Sequence, residues 1–210
     1  KMADGGINDQ IGGGFSRYSV DDKWHVPHFE KMLYDNAQLI SLYSKAYQLT
    51  NNSYFKTIIE ETIDFIHTDL TNTNNGTFYS ALDADSKTKD GELEEGAFYT
   101  WTQEELQSLL KNDFSLFKNY YNINATGKWE NDSYVLIKTQ SNESFAKSNN
   151  ISNEDNKKNK ENSYYTKLTC LLRELASKHE NNQVEINEFT KKAEANRINR
   201  NIVEGFIQNY

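Results

Sequence analysis

Sulfur, proline and clustered basic charge are scarce in this sequence, and each shortage removes a class of function. Cys170 is the only cysteine among 210 residues, so neither an intrachain disulfide nor a CxxC redox or zinc site can form. Its setting, Leu168-Thr169-Cys170-Leu171-Leu172, reads as a buried, inert thiol rather than a nucleophile. No secretory apolar region and no apolar run of about 18 residues occurs, so no membrane span is predicted and a cytoplasmic location is expected. Lys and Arg number 23 against 31 Asp and Glu, a net charge of −8 that argues against nucleic acid or an anionic membrane as partner. The one basic stretch with helical spacing, Lys191, Lys192, Arg197 and Arg200, is interleaved with Glu194 and reads as a solvated helix face. No His-x-x-x-His pair exists, so no zinc site is expected, and nothing in the sequence calls for a cofactor. The chain also lacks an initiator methionine, beginning Lys1-Met2-Ala3-Asp4, and reads as a stretch of something longer.

What is present is aromatic and glycine-punctuated. Apolar residues reach only 36%, so the 13% that are Phe, Tyr and Trp must supply much of the core volume and can also line a concave site. Residues 4–25 form a glycine-rich lead-in, with Gly5-Gly6 and then Gly12-Gly13-Gly14-Phe15. The run lacks the Gly-Lys-Ser/Thr ending of a phosphate loop, so a flexible turn is expected. Pro27 suits the first turn of a helix, and Phe29, Leu33, Ala37, Ile40 and Tyr47 recur at helical steps, which predicts a helix from about 27 to 49. A second helix follows Asn51-Asn52-Ser53, carried by Phe55, Ile59, Thr62, Ile66 and Leu70, so the two should form an antiparallel hairpin. The runs Gly76–Ser80 and Gly96–Trp101 each open on glycine and are rich in aromatics, which predicts a pair of strands joined by a long acidic loop.

Further along, Thr102 and Glu105 make a capping box for a helix carrying Leu106, Leu109 and Leu110. After a break near Asn112 the helical pattern resumes with Phe114, Phe117 and Tyr121, and Tyr134–Ile137 reads as a short extended piece. Residues 149–163 are nearly all Asn, Lys, Glu, Asp and Ser and read as a polar linker, followed by helices near 164–180 and 184–208. The organisation expected is therefore 1–148, a linker at 149–163, and a helical segment at 164–210.

Two constellations could carry chemistry. Asp83, Asp85 and Glu94 fall at calcium-loop positions, but Lys87 and Thr88 stand where a ligand and the obligatory glycine belong, which rejects that type of site. Residues two apart at a strand end point the same way, so Asp83 and Asp85 could pair as general acid and base in glycoside chemistry, or form a solvated acidic turn. On the helix expected after Pro27, His28, Lys31 and Asp35 share one stripe, with Glu30 and Tyr34 adjacent and Trp24 just before it. Such a set could bind and protonate a polyol, or could be a capping and salt-bridge cluster.

The segment from Gly5-Gly6-Ile7-Asn8-Asp9-Gln10 through Phe15-Ser16-Arg17-Tyr18, with Trp24 and then Pro27-His28-Phe29-Glu30-Lys31-Met32-Leu33-Tyr34-Asp35-Asn36, resembles the YyaL-like family, also called spermatogenesis-associated thioredoxin-domain proteins. Phe78-Tyr79-Ser80-Ala81, Asp83-Ala84-Asp85-Ser86 and Glu95–Trp101 follow in the same order as in that family, and the likeness covers roughly residues 3–138. The resemblance implies a mainly α fold: part of an α/α toroid of antiparallel helical hairpins, six-hairpin glycosidase-like and similar to N-acylglucosamine 2-epimerases, with a small β-hairpin insertion. It implies a carbohydrate-active neighbourhood rather than a defined reaction: sugar epimerase or isomerase, glycoside hydrolase, or a non-catalytic sugar-binding scaffold that docks the family's thioredoxin-like domain. The implied catalytic positions are His28, Glu30, Asp35, Asp83 and Asp85. The implied substrate-binding positions are Arg17, Tyr18 and Trp24, joined on aromatic grounds by Tyr99 and Trp101. The thioredoxin-like part has no counterpart here, so no redox role follows. A complete toroid needs roughly 250–350 residues at ordinary element lengths, so this chain supplies about half of one and is expected to self-associate through the open edge.

Overall fold

The computed structural model describes residues 1–88 and 90–149, which divide into two compact units, 1–99 and 100–149. The polar stretch 150–163, the two helices expected beyond it, Cys170 and the basic stretch at 191–200 lie outside the described residues. Helices dominate both units, and the strands are three short antiparallel pairs.

The first unit opens with a 3-10 turn at Met2–Asp4, followed by the glycine-rich lead-in. β1 is Lys31–Met32 and α1 is Leu33–Thr50. The helix therefore starts six residues later than Pro27 suggests. Pro27 instead pairs across an antiparallel bridge with Ser19, and Lys31–Met32 pairs with Ala81–Leu82 (β2). Backbone groups at 31–33 are thus spent on non-local pairing with residues 80–82, which outweighs the local preference of Pro for a first helical turn. The stripe His28–Lys31–Asp35 does not exist as a helical face, because only Asp35 is on the helix.

Asn51 ends α1 in the left-handed region, at φ 52°, and its N–H bonds back to the Tyr47 carbonyl at 2.7 Å. Asn52 then caps α2, Ser53–Asp69, by accepting the Tyr54 N–H at 3.0 Å. Two adjacent asparagines thus stop one helix and start the next, and the helices pack as the expected hairpin. Their shared core joins Leu33, Ala37 and Ile40 of α1 to Ile59, Phe65 and Ile66 of α2 and to Leu70 and Phe78 beyond it. Each fully buried Leu, Ile or Phe here is worth about 1.5–3 kcal/mol relative to exposure. A smaller cluster seats the lead-in on α2 through Ala3, Ile7 and Phe15 against Ile58.

The aromatic runs do not pair with each other. The hairpin lies inside the acidic stretch between them: β3, Asp85–Lys87, pairs with β4, Leu93–Glu95, in the register Asp85↔Glu95 and Ser86↔Glu94. A turn closed by the Thr88 N–H on the Glu92 carbonyl at 2.8 Å sets that register. Phe78 bridges to Thr71, and residues 96–99 form a turn.

In the second unit β5, Trp101–Thr102, pairs with β6, Ser133–Tyr134. Thr102 caps α3, Gln103–Leu110, and the reciprocal bond from Glu105 completes the capping box. A 3-10 turn at Lys111–Asp113 makes the expected break before α4, Phe114–Tyr120. Val135, Leu136 and Ile137 are buried, as are Phe117 and Tyr121. A further short helix, α5 at Asn142–Ser148, was not expected from the sequence; Ser141 caps it, and Phe145 packs edge-on against Tyr120. Among the described residues no helix is long and apolar enough to cross a membrane.

Candidate functional site

The site is built on the first unit, beginning with how the lead-in is anchored. Lys31, only 2% exposed, is buried as a cation. Its Nζ donates to Asp9 Oδ2 at 2.8 Å and to the Gly13 carbonyl at 2.9 Å, and lies 4.6 Å from the Phe65 ring centre and 4.7 Å from that of Tyr99. A buried charge survives only when so fully partnered. Burial pushes the Asp9 carboxyl up, but the Lys31 ammonium and the amides of Gly12 and Ile11 outweigh it and hold Asp9 below the usual carboxylate range. Gly13 takes φ 78°, and a Cβ there would sit 2.6 Å from the Glu61 carbonyl oxygen, so the glycine run is a packed support rather than a loose turn. Asn36, fully buried on the first turn of α1, fixes Phe15 by bonds to both its N–H and its carbonyl.

From Phe15 the chain runs antiparallel to residues 26–31. The His28 N–H bonds the Tyr18 carbonyl at 3.1 Å and the Arg17 N–H bonds the Glu30 carbonyl at 2.8 Å. Between these bonds Phe29 stands at φ 55° inside a three-residue turn closed by the Glu30 N–H on the His28 carbonyl at 2.6 Å. Positive φ at a bulky aromatic residue is strained backbone, tolerated when surroundings over-determine it. Here the Phe29 ring is buried, stacks on Tyr99 and fills the space beside Gly96. The loop at 21–26 is tied by the Asp21 carboxylate, which accepts from the amides of Lys23, His25 and Val26. Burial pushes Asp21 up and these three amides more than offset it, leaving its carboxyl below the usual range.

On this ribbon the predicted residues gather. The Tyr18 ring stacks on the His28 imidazole with centres 4.8 Å apart and planes 20° apart. Arg17 Nη1 lies 3.3 Å from Glu30 Oε2. Asp35, in the first turn of α1, has an Oδ2 that is buried and finds no hydrogen-bond partner among the described residues. Burial pushes the Asp35 carboxyl up, Arg17 pulls it down and Glu30 pushes it up again, and the balance is above the ordinary carboxylate range. His28 Nδ1 lies 2.9 Å from Glu95 Oε1, an acid from β4.

The remaining predicted positions lie elsewhere. Asp83 Oδ1 accepts the Asp85 N–H at 3.3 Å, a local turn, and Asp85 is exposed across the ladder from Glu95. It is thus the strand partner of Asp85, rather than Asp83 or Asp85, that reaches the imidazole. Trp24 is 39% exposed at φ 64° on the Asp21 loop. Tyr99 packs with Phe29 and Lys31, and burial, with Asp9 and Asp69 nearby, pushes its phenol up. Trp101 belongs to the second unit, opposite Tyr134. Glu95, Asp9 and Asn36 were not singled out from the sequence, and Lys31, read there as part of a helical stripe, is instead the buried partner of Asp9. Only Asn36 carries a local signal, a polar side chain among Leu33, Ala37 and Ile40 on the apolar face of α1. Among the described residues no group of three or more His, Cys, Asp or Glu is gathered as for a metal ion.

No family model matches the chain. Over 110 residues, 52% of this chain, the sequence is 49% identical to human spermatogenesis-associated protein 20 and 47% identical to the rat protein of that name. An uncharacterized protein of Caenorhabditis elegans is 39% identical over 137 residues. The chain spans 14% of the length of the mammalian relatives and 18% of the nematode one. These similarities support kinship with the spermatogenesis-associated family.

Proposed function

We propose that this chain is part of a carbohydrate-active domain in which His28, Asp35 and the Arg17–Glu30 pair bind a polyol and move a proton on it. The observation that carries the reading is Asp35: an acid whose buried Oδ2 has no hydrogen-bond partner among the described residues, raised in pKa, beside a paired Arg–Glu and close in sequence to an imidazole. A carboxyl pushed upward by burial in this way can serve as a general acid. The α1–α2 hairpin is then one hairpin of a six-hairpin α/α toroid.

A reaction class open to an imidazole and an elevated carboxyl is epimerisation or isomerisation next to a carbonyl. His28 removes the proton from the carbon beside the carbonyl, and the C–H bonding pair becomes a carbon–carbon double bond as the carbonyl π pair moves onto oxygen to give an enediolate. Asp35 as general acid returns a proton to carbon while the double bond reverts to the carbonyl, and proton exchange with solvent resets His28 and Asp35. Arg17 and Glu30 hold hydroxyls. The hydrolase alternative needs Asp83 or Asp85 to act with Glu30, and Asp83 is already bonded into a local turn. A second reading, sugar binding without catalysis, is favoured by the exposure of Tyr18 and Trp24, whose rings offer stacking faces. A thioredoxin-like domain, which the family resemblance implies for the whole protein, is the partner this scaffold would dock, and self-association through the exposed Leu42 and Leu49 of α1 would follow from an open toroid edge.

The test is deuterium incorporation beside the carbonyl, followed by proton NMR, for a panel of aldoses and N-acylated hexosamines in D2O. Exchange abolished by His28→Ala and by Asp35→Asn supports the epimerase-type reading. Thermal stabilisation by a sugar without exchange supports the binding scaffold. Neither exchange nor stabilisation across the panel refutes a carbohydrate site.

A further inference from the structure

We infer that Glu95 is a positioning residue that holds the His28 imidazole with its proton on Nδ1, leaving Nε2 as the atom that exchanges protons with a ligand. The inference deepens the reading of His28 as the proton-handling group and rests on it.

Three observations carry it. Glu95 Oε1 lies 2.9 Å from Nδ1 across 67 residues of sequence, and a carboxylate there can only accept, so in the neutral ring Nδ1 must be the donor. The ring plane is set independently by the Tyr18 stack at 4.8 Å, so Glu95 need only choose the tautomer. The hairpin carrying Glu95 is seated firmly. Ser86, fully buried, accepts the Phe98 N–H at 2.8 Å, and the Gly96 N–H bonds the Ala84 carbonyl at 3.0 Å. Gly96 itself closes on the Phe29 ring, next in sequence to His28.

Glu95 stands directly across the ladder from Asp85, and like charges so placed cost stability. An acid placed opposite Asp85 and aimed at an imidazole nitrogen 2.9 Å away acts on the imidazole. The same logic orients histidines in metal sites and catalytic triads, where the group on one ring nitrogen fixes what the other can do.

The direct test is ¹⁵N NMR of the imidazole ring in the full chain over a rising pH series, read on the alkaline plateau where the ring signals no longer change. The expected result is a pyrrole-type Nδ1 and a pyridine-type Nε2 for His28, with the pattern moving toward Nε2–H in Glu95→Ala. Glu95→Gln, which keeps an acceptor oxygen, should retain the wild-type pattern, and its melting temperature should not fall, since it removes the repulsion from Asp85. A wild-type His28 protonated on Nε2, or a pattern unmoved by Glu95→Ala, overturns the inference. Where exchange is seen with a panel sugar, Glu95→Ala should slow it about 10- to 100-fold. If wild type catalyses no exchange at all, the functional reading falls, while the tautomer result still decides the role of Glu95.

Discussion

Asn36 grips Phe15 by both of its backbone groups: its Oδ1 accepts the Phe15 N–H at 2.7 Å and its Nδ2 donates to the Phe15 carbonyl at 2.9 Å. The same Nδ2 also bonds the Met32 carbonyl at 2.9 Å, so one buried amide joins the lead-in, the end of β1 and the first turn of α1. Every site residue from Arg17 to Asp35 is hung from this junction. Asn36→Ala leaves buried backbone groups of Phe15 unpaired and should destabilise the first unit by about 2–4 kcal/mol in urea unfolding. A loss under about 0.5 kcal/mol, the level of an ordinary surface change, would show that the junction is held by packing alone.

Lys31 and Asp9 give a pH prediction with a definite sign. Asp9 is held below its ordinary value in the fold, so its contribution to stability is complete above the unfolded aspartate pKa of about 3.9 and drains away as pH falls through the lower folded value. Wild type should therefore lose stability in acid more steeply than Asp9→Asn, with the two curves parallel above about pH 5. Lys31→Met, which strands the carboxylate, should cost about 3–5 kcal/mol at neutral pH, and adding Asp9→Asn should recover part of it. Guanidinium unfolding at stepped pH checks both.

Much of the helical framework was legible because its signals are local. Asn51 and Asn52 end one helix and cap the next within two residues, and Thr102 with Glu105 closes a capping box within four. What could not be read is the pairing across long separations. Pro27 has the chemistry of a helix start, but its bridge to Ser19 and the pairing of Lys31 with Leu82 place it in a ribbon. Glu95 reaches His28 only because a turn at 88–92 fixes the register of β3 and β4. The glycine, aromatic and acidic composition signalled a special region correctly; which acid meets which base is decided by register, which composition does not encode.

Asp35 has the opposite sign from Asp9. Its folded pKa is raised, so its contribution is fully present below the unfolded value and is lost as pH rises through the folded one; at neutral pH the ionised form opposes folding. Asp35→Asn should therefore raise the melting temperature at pH 7, and the gain should vanish at about pH 4 and below. A stabilised protein that has also lost deuterium exchange would identify Asp35 as a group kept at a cost to the fold. A lower melting temperature at pH 7 would mean that its carboxylate is satisfied in the fold.

Gly96 should tolerate no side chain, and the reason can be isolated. It takes φ 72°, and a Cβ there would approach the Phe29 ring to 2.6 Å. Gly96→Ala combines backbone strain with a clash and should cost about 2–3 kcal/mol. The two parts separate in a double-mutant cycle. Phe29→Leu shortens the obstructing ring, so Gly96→Ala in that background should cost only the backbone part, about 1 kcal/mol. Coupling between the two sites would show that Phe29, despite its own strained φ, is held in place by the hairpin that carries Glu95. Strict additivity would mean that ring and glycine do not meet, and the seating of Glu95 would then need another support.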